Sequence, residues 1–303
     1  MTGLKWTRKT TRKISEELAK ACISVSHTTV ARLLYELEYR LRVNHKKVAG
    51  KQHPQRNEQF EYIAQQRRHC EQKGIPIVSV DTMNRQLVGN FKNPGAVWCQ
   101  SPHLVSDHDF RTDAEGIAIL YGIYDLTANR GAVCVGSSHN TANFAVDSLR
   151  VWWQAEGSVR STDPKHLFVL ADNGGSNGSS LRAWRYALQH TLADPFGLTI
   201  TVSHYPPGTS KWNPVEHRLF AEINKNWQGE PLRSYETILN FIRTTTTTTG
   251  LRVTATPLEG DYPTGIKISN REMKLLSITP HDICPQWNYT VHPRAGAKCE
   301  VIS

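Results

Sequence analysis

The sequence predicts an α/β fold, a mixed sheet flanked by helices, and three observations carry that prediction. Five short apolar runs, IPIVSVD (75–81), GIAILYGIYDL (116–126), GAVCVGSS (131–138), HLFVLAD (166–172) and LTITVSHY (198–205), have the length and β-branched content of buried strands. Three longer amphipathic stretches, TANFAVDSLRVWWQAEG, SSLRAWRYALQHTLAD and NPVEHRLFAEINKNW, carry the helical period, the last opened by Asn213 and Pro214. Their order is three strands, helix, strand, helix, strand, helix, with no Gly-rich fingerprint after the first strand and no Walker A sequence. That order excludes a doubly wound nucleotide-binding unit and suits a ribonuclease-H-like arrangement.

Ahead of this body lies a basic head. Residues 1–73 hold 16 Lys and Arg against 7 Asp and Glu, which accounts for the whole formal charge of +9. Within it TRKISEELAK (11–20) reads as a short helix, and Ser26 as the N-cap of a second, HTTVARLLYELEY, with Val30, Leu33, Leu34 and Leu37 on one face. The intervening ACISVS has the length of a helix-turn-helix connection. The second helix would present His27, Thr28, Thr29 and Arg32 near its start, where a recognition helix enters the major groove. Residues 41–57, broken by Gly50 and Pro54, read as a linker whose Lys46 and Lys47 are candidate phosphate contacts. Helical pairs are common and a basic face also serves solubility, so local charge is what tilts this segment towards a polyanion.

A helix over 58–72 then leads into the sheet. The tail after residue 243 opens with six threonines, poor helix formers and good strand formers, so TTTTTTGLRVTATPL is expected to be extended and WNYTVHP (287–293) to be a last strand. The expected organisation is therefore a DNA-binding segment with linker (1–57), a catalytic domain (58–243) and a C-terminal accessory segment packed on it (244–303). No apolar run is long enough to span a bilayer and the N-terminus lacks the apolar segment of a signal peptide, which points to a cytoplasmic protein. The six cysteines form no C-x-x-C pair, which argues against a zinc knuckle or disulfide framework.

The chemistry is expected from carboxylates. Asp81 and Asp172 close the first and fourth strands, at the sheet end where α/β folds place their sites. If those strands are neighbours and the last helix runs back over the same end, Glu216 joins them. Three such carboxylates repel one another unless divalent cations neutralise them. Mg²⁺, with Mn²⁺ as its substitute, prefers such oxygen donors, and two ions about 4 Å apart serve phosphodiester cleavage. Each residue taken alone is more simply an ordinary strand-end, turn or helix-surface acid; joint placement is what makes the case.

The segments VDTMNRQLVGNFKNPG, HDF, GIAILYGIYDLTANRGAVCVG, ADNGGSNGSSLRAW and HYPPGTSKWNPVEHRLF, with TTTTTTGL and WNYTVHP, resemble the DDE transposases of the ISAzo13 insertion-sequence family. The likeness runs from about Trp6 to Pro293, and HYPPGTSKWN-x-x-EH is its most distinctive part. By position Asp81, Asp172 and Glu216 match the family's acidic trio. The resemblance implies a ribonuclease-H-like catalytic domain, Mg²⁺-dependent strand cleavage and joining, recognition of terminal inverted repeats and target DNA, and at least a homodimer. Two segments depart from it. DTMNRQ stands where DTKKKE is usual, which removes positive charge near the scissile strand, and ADNGGSN replaces ADGGGSN. Family members also carry a further helix-turn-helix region upstream, so a shortened copy is expected.

Around the trio, Asn173 to Asn177 read either as a phosphate-approaching turn or simply as a tight one. Lys211 is a candidate phosphate contact, and Trp212 suits base stacking or core packing equally. His204 and His217 flank the site, Asp125 ends a strand, and Asp107 and Asp109 bracket His108 in a loop. The competing readings are a catalytically impaired, transposase-derived DNA-binding protein and a ribonuclease-H-like nuclease acting on RNA or hybrids. A metabolic hydrolase leaves the basic head unexplained.

Overall fold

The computed structural model describes residues 9–40 and 53–294, and the chain divides into two compact units, Met1–Gly50 and Lys51–Ser303. Lys46 and Lys47 lie outside the described residues. In the first unit, α1 (Thr11–Lys20) is capped by Thr10, whose side chain accepts from the Lys13 amide, and α2 (His27–Glu36) by Ser26, which accepts from Thr29. Cys22 turns the chain with φ +62°, and the Ser15 hydroxyl donates to the Val25 carbonyl at 2.5 Å. The second helix ends at Glu36, short of the Tyr39 that the pattern suggests, because Glu38 adopts φ +63°. Of its expected apolar face, Val30 is buried and Leu34 half-buried, while Leu33 and Leu37 stay exposed. Two ten-residue helices offer too little facing surface to cover the whole stripe.

The second unit begins with α3 (Arg56–Lys73), stopped by Gly74 in the left-handed region at φ +67°. The strands are β1 (Ile77–Thr82), β2 (Gln86–Val88), β3 (Gly116–Asp125), β4 (Arg130–Gly136), β5 (His166–Ala171), β6 (Thr199–His204), β7 (Arg252–Pro257), β8 (Ile278–Pro280) and β9 (Asn288–Val291). They form one nine-stranded mixed sheet in the order β7-β4-β3-β1-β5-β6-β9-β8, with β2 on β3. At its centre β4, β3 and β1 are antiparallel while β1, β5 and β6 are parallel. This is the ribonuclease-H-like order that the element sequence suggests.

Strand alternation assigns the two faces. Val78, Val80, Tyr121, Ile123 and Val169 point to the layer holding α4 (Ala142–Trp152) and the helical stretch 182–196, where Trp152, Trp153 and Trp184 are buried. Leu120, Tyr124, Val133 and Val135 point the other way, to the helical stretch 214–226 and the helix Tyr235–Arg243. Beside that layer α3 packs Ile63 and Cys70 on Ile77, Phe168 and Leu170.

The tail differs from the expected accessory segment, because it is part of the sheet. β7 extends the sheet parallel to β4, and β9 pairs with β6 and carries β8 outside it. Val253 and Ala255 of β7 alternate inward, and all four residues of β9 are buried. A buried amide pair fixes β9: Asn288 Nδ2 donates to Gln59 Oε1 at 2.6 Å, and Gln59 Nε2 donates to Asn288 Oδ1 and the His204 carbonyl, both at 2.8 Å. Among the described residues no helix is long and apolar enough to cross a membrane.

Candidate active site

The register brings the two aspartates together. Val80 is aligned with Ala171 in the parallel β1–β5 pair, so Asp81 and Asp172, the next residues, end adjacent strands side by side. Alternation turns both to the face that carries the 214–226 helix. Asp81 is also paired across β1–β3 with Gly122, on which a Cβ would collide with the Phe220 ring; a Cβ on Gly131 would collide with Leu219. Glycine at these two strand positions is what lets the helix approach closely enough to bring Glu216 over Asp81.

A buried polar clamp sets the start of that helix. The Ser79 hydroxyl donates to Asn213 Oδ1 at 2.5 Å, and Asn213 Nδ2 donates to the Val80 carbonyl at 3.0 Å. Ser79 in turn accepts from the Val215 amide at 2.9 Å, so the strand supplies the cap that a helix start needs. Asn213 therefore acts through β1 and does not cap the helix with its own side chain. From Glu216 to Phe220 the helix widens into a π-turn, a local irregularity concentrated at functional positions.

The electrostatics of the trio follow from this crowding. Burial, then the charge of Asp172, then Glu216 raise the Asp81 carboxyl to about 8, against the Thr82 amide, which donates to its Oδ1 at 2.7 Å. Glu216 is raised by burial and by Asp172; the hydrogen bond with Asp81 and the neighbouring His217 act in the opposite sense. Burial also raises Asp172, although the Gly174 amide at 3.3 Å and Asn177 Nδ2 at 3.1 Å donate to its Oδ1.

Hard oxygen donors, buried at Asp81 and half-buried at Asp172 and Glu216, that repel one another fit a divalent ion of the Mg²⁺ or Mn²⁺ type. Among the described residues no three or more His, Cys, Asp or Glu side chains are yet drawn into ligating arrangement. Asp172 is held through its Oδ1 by its own loop.

The other sequence candidates sort by position. Asn177 belongs to the site, its amide on Asp172 and its Oδ1 buried without a partner. His204 lies beneath it, with Nδ1 2.9 Å from the Asp172 carbonyl and Nε2 3.2 Å from Tyr289 Oη, and burial lowers it to about 4, which keeps it neutral. Asp125 sits at the far end of β3 and caps the following turn, accepting from Thr127 and Ala128 at 2.9 Å. Asp107, His108 and Asp109 are exposed in a loop. Lys211 and Trp212 are exposed on the turn Ser210–Trp212; one side of Trp212 meets Phe60, ring centroids 5.9 Å apart, and the Lys211 ammonium stands 5.6 Å from its ring centroid. His217 Nε2 donates to the Lys211 carbonyl, tying that turn to the helix. In the first unit His27, Thr28 and Arg32 are exposed and Thr29 half-buried, with the Thr28 and Thr29 hydroxyls on Ser26 and Arg32 3.6 Å from Glu36.

Sequence reasoning missed Ser79 and Gly122. A serine inside an otherwise apolar strand, two residues before Asp81, and a glycine inside GIAILYGIYDL are the signals that mark them.

Two aspartates and a glutamate on one face of a ribonuclease-H-like sheet have the arrangement of a DDE domain. Residues 1–293 match the family described as Rhodopirellula transposase DDE domain, and the chain belongs to that family. No curated protein matches it in sequence. Among solved structures it is similar to a Mos1 transposase paired-end complex with left transposon end, at 18% identity and a TM-score of 0.46 over 77% of this chain and 65% of that one. It is also similar to mariner Mos1 paired end complexes with Mg (16% identity, TM-score 0.46, 77% and 65% covered) and with Mn (15%, 0.43, 80% and 72%). The chain thus spans 65% of the length of the first of these.

Proposed function

We propose that this chain is a DNA transposase whose Asp81, Asp172 and Glu216 hold divalent metal, Mg²⁺ or Mn²⁺, for phosphodiester cleavage at element ends and joining of the freed 3′-hydroxyl to target DNA. The observation that carries the reading is the register that sets Asp81 beside Asp172 under the Glu216 helix, in a chain of this family. Such an ion, when bound, supplies Lewis-acid activation of the attacking hydroxyl and charge stabilisation at the leaving oxygen. The carboxylates themselves bind and orient it. Asn177 and the Gly174 amide hold Asp172, and the Ser79–Asn213 clamp keeps Glu216 over β1. Lys211 and the open side of Trp212 are placed to meet the DNA backbone, and His27, Thr28, Thr29 and Arg32 to read a groove of element-end duplex, with Lys46 and Lys47 as further phosphate contacts. Joining two ends calls for a homodimer or larger assembly.

The test compares the parent with Glu216→Gln in Mg²⁺, using DNA that carries the flanking inverted repeats. Gln keeps the shape but loses the charge that makes Glu a ligand, so cleavage and joining should vanish together while the DNA Kd stays within about twofold. Equal cleavage rates would return Glu216 to an ordinary helix-surface role. A parent that binds DNA but never cleaves it, with Arg85 the one cation left in DTMNRQ, would favour a DNA-binding protein with an impaired catalytic domain.

A further inference from the structure

A cleft of about 580 Å³ borders the helix immediately after Glu216, and nothing in the cleavage chemistry uses it. One wall is helical: Arg218, Glu222 and Lys225, spaced four and three residues apart, share a face. The other wall is the threonine run, Thr246 to Thr249. That run is held in a fixed turn. The Gly250 amide donates to the Thr247 carbonyl at 3.0 Å, and the Leu251 amide to Thr247 Oγ1 at 3.1 Å. Asn129 Nδ2 donates to the Thr249 carbonyl at 3.0 Å, and Asn129 is itself held by Tyr124 Oη at 2.9 Å.

The chemistry of the lining selects its occupant. Lys225 is paired with Glu222 at 2.7 Å, whereas Arg218 is exposed and forms no ion pair among the described residues. The walls therefore present one uncompensated guanidinium, the His217 ring and the hydroxyls of a hydrogen-bonded turn, in which Thr247 and Thr249 also bond each other at 2.8 Å. These are donors suited to phosphate oxygens. Leu251 is the single apolar residue in the lining and is buried, so the exposed lining is polar.

We propose that this cleft binds the sugar-phosphate backbone of a DNA strand, with Arg218 and the threonine hydroxyls as its phosphate contacts; the assignment rests on the transposase reading. The test uses the full chain and a labelled DNA duplex of fixed sequence, with Kd measured between about 50 and 200 mM salt. Arg218→Ala should weaken binding about fivefold and flatten the slope of log K against log salt by about one. Arg218→Lys should keep the slope. Thr248→Val with Thr249→Val should weaken binding about twofold at unchanged slope, as loss of neutral phosphate donors does. Glu222→Gln should tighten it, and Arg271→Ala, on the short helix Asn270–Lys274, should change neither quantity. An Arg218→Ala protein with parental Kd and slope would overturn the cleft while leaving the transposase reading intact. An equal effect of Arg271→Ala would do the same by showing a diffuse charge effect. A parent that fails to bind duplex at all would overturn both.

Discussion

Replacing Asn213 with Ala should reveal how firmly the helix that carries Glu216 is clamped to the sheet. The amide is fully buried and makes two hydrogen bonds, accepting from Ser79 at 2.5 Å and donating to the Val80 carbonyl at 3.0 Å. Alanine leaves both partners without it in a place water does not reach. An orphaned buried polar group costs about 1–3 kcal/mol, so the loss expected for the pair is roughly 2–4 kcal/mol. For a unit of this size each kcal/mol moves Tm by about 2–4 °C, which puts the shift near 10 °C. Urea unfolding monitored by tryptophan fluorescence measures it, with exposed Thr248→Ala as a reference expected within about 0.5 kcal/mol of the parent. Because the Ser79 and Asn213 side chains share a bond, Ser79→Ala with Asn213→Ala should cost at least about 1 kcal/mol less than the two separate losses added together. Strict additivity, or an Asn213→Ala protein as stable as the parent, would show that the clamp does not hold the helix.

Three further outcomes are expected. In chelator Asp81→Asn should stabilise the protein by on the order of 5 kcal/mol at pH 8: the Asp81 carboxyl is raised to about 8, so its proton favours the fold at low pH and that contribution is lost as pH rises from about 4 through 8, a dependence the amide lacks. Equal unfolding curves for the two proteins across that range would contradict the buried, crowded placement of Asp81. Gly122→Ala should cost about 1–3 kcal/mol by forcing Phe220 away from β3, and should depress cleavage further because Gly122 lies opposite Asp81; a variant with parental stability and rate would refute the close approach. Burial works against Asp194, but hydrogen bonds from Arg294, at 2.5 and 2.9 Å, and from Gln189, at 2.6 Å, hold it below the usual carboxylate range. Arg294→Met should therefore cost about 3 kcal/mol near neutrality, and the difference from the parent should shrink below about pH 4 as Asp194 protonates; a deficit that grows in acid would refute the pairing.

The fold was legible where a strand had to be apolar to be buried. IPIVSVD, GIAILYGIYDL and HLFVLAD each sit inside the sheet, and their order alone selected the ribonuclease-H-like arrangement. The edges were less legible. β7 alternates only two buried positions, Val253 and Ala255, and β8 spans three residues, so neither carries much hydrophobic signal. The helix Tyr235–Arg243 went unread although Ser234 caps it and Ile238, Leu239 and Ile242 form its buried face. At the site, the strand-end positions of Asp81 and Asp172 and the helical position of Glu216 were visible, but the means of bringing them together were not. Ser79 and Asn213 are 134 residues apart, and their contact exists only once β1 and the helix have docked. The register of β1 against β5 likewise has no local signature, since either strand alone tolerates a shift of two residues without changing faces.

The clamp also clarifies why this site is fastened by neutral groups. Three carboxylates raised by burial, Asp81 and Glu216 also by the charge of Asp172, destabilise the end of the sheet that they occupy, and a lysine or arginine among them would relieve that strain. Such a cation would also occupy the field meant for a divalent ion and lower the affinity for it. An amide–hydroxyl pair avoids the conflict: Ser79 and Asn213 fix the helix to β1 with directional bonds and leave the charge of Asp81 and Glu216 unbalanced. Gly122 and Gly131 contribute in the same way, by allowing close packing through absence of a side chain. Arg218 on this helix instead faces the threonine cleft, unpaired among the described residues, while Lys225 is paired with Glu222. The helix thus carries Glu216 towards the other two carboxylates and Arg218 towards the threonine cleft, and both lie within the π-turn Glu216–Phe220.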